Sequence, residues 1–75
     1  MNLQQLEQDL GSLGTVTTCE VLNNMLMISV GGVVNSAATD TSFNQIINDN
    51  NVGIDFPIRE AYANEGGSVK AIYKV

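Results

Sequence analysis

The chain of 75 residues contains no histidine and no tryptophan, one cysteine, one proline and three basic residues. Each scarcity removes a class of chemistry. Without histidine, general acid–base catalysis loses its usual carrier near neutral pH, and with Cys19 alone neither a zinc ligand set nor an internal disulfide can be assembled. Cys19 is followed by Glu20 rather than by a cation, so nothing nearby favours the thiolate, and a buried structural thiol is expected. The glycine pairs form neither a G-x-G-x-x-G turn nor a P-loop, and the carboxylates are scattered singly. In "NDNNVGID", a calcium-loop register built on Gly53 places Asn48, Asn50 and Val52 at ligand positions and Arg59 where the closing glutamate belongs. No catalytic, cofactor-binding or metal-binding residue is therefore expected, and the chain reads as non-enzymatic.

Charge is equally lopsided. The formal net charge is −5, and no Lys or Arg precedes Arg59, whereas Glu7, Asp9, Glu20, Asp40, Asp49 and Asp55 all lie before it. Direct nucleic-acid binding is not expected, because no basic stripe exists to displace counterions from a phosphate backbone. A membrane span is not expected either, since the longest uncharged apolar run, Met25 to Val34, is about half of the roughly 20 residues a helix needs. No positively charged segment precedes that run as a signal peptide would require, and a single unpaired thiol is at home in a reducing compartment. A cytoplasmic protein, or one assembled into a virion, is the expectation.

What the sequence does have is a hydrophobic fraction of 44% with only 15% charged residues, enough for a packed core. One α+β domain over residues 1–75 is expected, with a short N-terminal helix, a short central helix and two β-hairpins at about 15–30 and 54–75. Leu3, Leu6 and Leu10 recur at helical spacing after Asn2, a good cap, and before Gly11. This stripe docks either on the domain itself or on a neighbour. Between Thr15 and Val30 the β-branched residues and the central Asn23-Asn24 pair favour a hairpin over a helix capped at Thr17. Its register would set Val21 opposite Leu26, Cys19 opposite Ile28 and Thr17 opposite Val30. "VVNSAATDTS" reads as loop, and Ser42 with Gln45 forms a capping box for a helix from about Phe43 to Asp49 ending near Gly53. Val52, Ile54, Phe56 and Ile58 then alternate as a strand, at a sheet edge because of Pro57. Across an Asn64–Gly67 turn, Tyr62 would face Val69, Glu60 would face Ala71 and Ile58 would face Tyr73.

So small a chain buries only about 60% of its unfolded surface. With no disulfide or metal to staple it, a partner is the expected supplement. The leading functional expectation is a small structural or accessory protein that self-associates or docks on a larger assembly, such as a viral particle. Leu3, Leu6, Leu10, Arg59, Lys70 and Lys74 are its candidate interaction residues. A small acidic inhibitor occupying a basic site on a nucleic-acid-handling or defence protein is the alternative. An enzyme with a site shared between subunits, recruiting Tyr62 or Tyr73 with Arg59, ranks last.

Overall fold

In a computed structural model describing residues 1–75, the chain runs α1 (Leu3–Leu10), β1 (Thr15–Leu22), β2 (Met25–Gly31), α2 (Ala37–Asp49), α3 (Val52–Asp55), β3 (Ile58–Glu65) and β4 (Ser68–Lys74). The strands form one sheet in the order β1-β2-β4-β3, antiparallel throughout. It is a small α+β domain.

The first hairpin closes as its turn chemistry demands. Asn23 and Asn24 both take positive φ, 53° and 62°, the left-handed pair that matches the twist of two adjacent strands. Val21 pairs with Leu26 and Cys19 with Ile28, but a bulge intervenes so that Val16, not Thr17, lies opposite Val30. Thr17 is the extra residue of that bulge, and its hydroxyl donates to the Ser29 carbonyl at 3.2 Å. The apolar Val16 thereby takes the inward position that the polar Thr17 would have wasted.

The second hairpin departs further from expectation. Its turn is the two residues Gly66 and Gly67, with φ of 63° and 77°, rather than four. The shorter loop slides the register by two, so Tyr62 faces Ala71 and Asn64 faces Val69. Sliding by two preserves the face each side chain occupies. A bulge between Arg59 and Ala61 then sets Arg59, not Ile58, opposite Tyr73 and leaves Glu60 without the Ala71 partner expected for it. β3 is an edge strand beginning directly after Pro57, as a missing backbone donor requires.

Residues 52–55 form a helical turn, not the start of a strand. Val52 and Phe56 are both buried while Ile54 is 78% exposed, which is the spacing of a helix rather than of a pleat. Asn51, at φ 61°, breaks α2 and restarts the chain in the new direction. Gly53 accordingly sits inside α3, and the exit of α2 is Asn50. That residue is buried and satisfied: its amide donates to Asp9 Oδ2 at 3.0 Å and to the Ile46 carbonyl at 2.9 Å, tying α1 to α2. At the other end α2 starts six residues before Phe43. Ser36, whose hydroxyl accepts from Thr39 N at 3.2 Å, is the cap, and Ser42 lies within the helix.

All three helices cover one face of the sheet. Leu6, Leu10, Phe43, Ile47, Val52 and Phe56 meet Leu26, Ile28 and Val30 of β2 and Val69, Ala71 and Tyr73 of β4 in one core. The accessible surface, 4340 Å², is close to the roughly 4450 Å² expected for a folded monomer of this mass. The helices thus hide the inner flank of both hairpins without help. The outer flank has no cover.

Candidate functional site

Alternation along the strands delivers a second set of side chains to the open face, and the register arranges them in three rows across β1, β2, β4 and β3. Nearest the Asn23-Asn24 turn come Leu22, Met25, Lys74 and Ile58. The middle row is Glu20, Met27, Ile72 and Ala61. The last is Thr18, Ser29, Lys70 and Ala63, beyond which Gly31, Ser68 and Glu65 edge the face. A shallow depression of about 410 Å³ runs over the middle and last rows, walled by Met27, Ile72, Ala61 and Ala63 with Thr18, Ser29 and Lys70. Leu22 and Ile58 are 54% and 52% exposed at its margin. Leu22 and Met27 are already legible in the sequence as an apolar component of the first hairpin's second face; Ile72 completes it from β4.

The charges divide by layer. α1, α2 and α3 carry Glu7, Asp9, Asp40, Asp49 and Asp55 and no base. The open face carries Glu20, Lys70 and Lys74, with Glu65 at its far edge beside Lys70. The only ion pair of the chain joins the Met1 ammonium to Asp55 at 2.7 Å, so these four are all without a salt bridge.

Titratable groups converge at one other place, between β3 and α2. Tyr62 donates to Asp40, Asn64 Nδ2 donates to the same carboxylate oxygen at 2.8 Å, and the Arg59 guanidinium lies 4.7 Å from the Tyr62 ring centre while donating to Asn44 Oδ1 at 3.1 Å. Phe43 packs at 5.4 Å from Tyr62. These contacts tie β3 to α2 as a strut, with Asn64 Oδ1 left as a buried acceptor without a partner. Hydrogen bonds from Tyr62 and Asn64 hold Asp40 below the usual carboxylate value. Burial, then the bond to Asp40, pushes the Tyr62 phenol up from 10.0 to about 12. The signs follow from linkage. Tyr62 contributes stability that is complete below pH 10 and is lost as pH climbs through about 12, whereas the Asp40 contribution is complete above its ordinary 3.8 and is lost as pH falls through the depressed value. In a Tyr73→Phe background, ultraviolet titration should show Tyr62 ionising near 12, and Asp40→Asn should bring it back toward 10. Ionisation at the ordinary value in the parent would contradict the strut.

The chain matches no protein-family model, no curated protein and no solved structure. Its surfaces must therefore be read from their own chemistry.

Of the residues singled out in the sequence, Leu6 and Leu10 are fully buried and Leu3 packs against the same core. The leucine stripe is used up by the domain itself. Arg59 is engaged in the strut. Lys70 and Lys74 are exposed on the open face. Cys19 is half-buried against the core, where desolvation, followed by the charge of Glu7, raises its thiol pKa.

Proposed function

We propose that this protein works by contact rather than by catalysis, as a small structural or accessory component whose open sheet face is its working surface. The observation that carries this reading is the one-sided architecture: every helix lies on one face, and the other keeps Leu22, Met25, Met27, Ile58 and Ile72 at the surface. An antiparallel sheet facing water ordinarily alternates apolar-in and polar-out; here Met25, Met27 and Ile72 take outward positions on the two central strands, beside Ser29, Lys70 and Lys74. Contiguous exposed apolar area of this kind marks interaction sites in soluble domains. A larger assembly, a viral particle among them, is a setting in which such a component serves.

The test is purification from the native source under mild conditions, with wild-type protein and an Ile72→Asp variant compared. Wild type is expected in a stoichiometric complex, with itself or with another protein, that the variant cannot form. Equal behaviour of the two at equal folded content would overturn the reading. A second reading, an acidic inhibitor, draws on the helical layer, whose helices carry five carboxylates and no Lys or Arg. It requires a partner whose binding weakens steeply with salt and ignores Ile72→Asp.

A further inference from the structure

We propose that the occupant of the open face is a second copy of the same chain, placed face to face across a two-fold axis that runs parallel to the strands between β2 and β4. The inference rests on the contact reading above and names the partner. Two sheets packed this way form an aligned sandwich about 10 Å thick.

The row pattern selects both the partner and the axis. Rotation about an axis along the strands lays β2 over β4 of the other copy and β1 over β3. Met27 then meets Ile72 and Leu22 meets Ile58, while Met25 lies against the aliphatic stem of Lys74 and Ser29 comes over Lys70. Glu20 comes over Ala61, flanked diagonally by Lys70 and Lys74 of the other copy, one row to either side. Three of the four open-face charges thereby obtain opposite neighbours within reach of long side chains, while Glu65 stays beside Lys70 of its own copy. The perpendicular in-plane axis fails on the same pattern, because it stacks Glu20 on Glu20 and Lys70 on Lys74. Head-to-tail stacking of this face on the acidic helical layer gains charge complementarity but sets Met27 and Ile72 against the glutamines and carboxylates of α1, and it does not close.

Size fixes the strength. Strands about 4.8 Å apart and paired rows about 6.8 Å apart give a patch of about 400 Å² in plan. Standard interfaces cover about 800 Å² of accessible surface per partner, so the dimer belongs to the weak, reversible class with micromolar dissociation.

Sedimentation velocity of the full chain from micromolar to millimolar concentration tests this. Wild type should pass reversibly from monomer to dimer and stop there. Ile72→Asp should weaken the dimer by about 100-fold while leaving the circular dichroism unchanged. Glu20→Lys should weaken it by roughly 10-fold, and adding Lys70→Glu with Lys74→Glu should restore it. For the axis, Met27→Cys and Ile72→Cys proteins, both carrying Cys19→Ser, are mixed and oxidised. The mixed disulfide should predominate; dominance of the Met27→Cys homodimer would overturn the proposed axis. A monomer at all concentrations, growth beyond the dimer, or a dimer indifferent to Ile72→Asp would overturn the self-association. If wild type is monomeric yet holds a different protein that Ile72→Asp releases, the contact reading survives and only the occupant is wrong.

Discussion

Phe43→Ala should cost about 3–5 kcal/mol, because a fully buried aromatic ring leaves a cavity as well as its transfer free energy. Phe43 has no exposed surface, and it sits where α2 meets both the core and the Tyr62 ring. The whole domain is expected to be stable by only about 4–11 kcal/mol, on the basis of roughly 0.05–0.15 kcal/mol per residue. The substitution therefore removes about a quarter of the folding free energy or more. Urea denaturation followed by circular dichroism should show the midpoint falling by at least that fraction. Phe43→Leu, which keeps most of the volume, should cost less than about 1.5 kcal/mol. A loss below about 1 kcal/mol for the alanine variant would mean that α2 does not rest on the sheet as described.

Gly14→Ala should be nearly as damaging for a different reason. A methyl group there would lie 2.2 Å from the Gly31 carbonyl oxygen and 3.1 Å from Val33 Cγ1. The first contact is with backbone, so no side chain can rotate out of the way. Either the entry to β1 or the exit of β2 must move, and both are tied by the Thr15–Gly31 pairing. Overpacking against fixed backbone costs about 3 kcal/mol, at the upper end for such changes. The same chemical change at Gly53 should have the opposite sign. Nothing lies within 4 Å of a methyl group at Gly53, and its place in a helical turn rewards alanine by about 0.5 kcal/mol. Thermal melts of the two variants measured together check the contrast. Equal shifts would show that propensity, not the close approach of two backbones, governs residue 14.

Local signals in the sequence were sufficient where one physical rule acted alone. Asn2, Asn23 and Asn24 behave as their turn and cap chemistry dictates, and the alternation about Asn23-Asn24 places Cys19 and Val21 on the inner side. Competing rules produced the errors. Ser36 and Ser42 each offer a cap, and what ties the added turns to the sheet is non-local: Asp40 accepts from Tyr62 and Asn64 of β3. Val52, Ile54, Phe56 and Ile58 satisfy a two-residue period, while Val52 and Phe56 alone satisfy a four-residue one; so short a window cannot separate them, and burial of that pair does. Gly66 and Gly67 can close a hairpin of two residues or contribute to one of four, and the register waits on that choice. The open face was half visible, in Leu22, Met25 and Met27 beside Glu20. What no local pattern reveals is that β2 neighbours β4, which is what brings Ile72, Lys70 and Lys74 into the same patch.

That neighbouring also governs how the chain is made. Each hairpin closes on nearby residues, but the seam from Met25–Lys74 to Gly31–Ser68 joins strands far apart in the polypeptide. During synthesis, β2 emerges well before β4 and keeps a bare hydrogen-bonding edge until that strand follows it. The nascent chain stays adhesive along this edge for the interval, and β4 acts as the zip that ends the exposure.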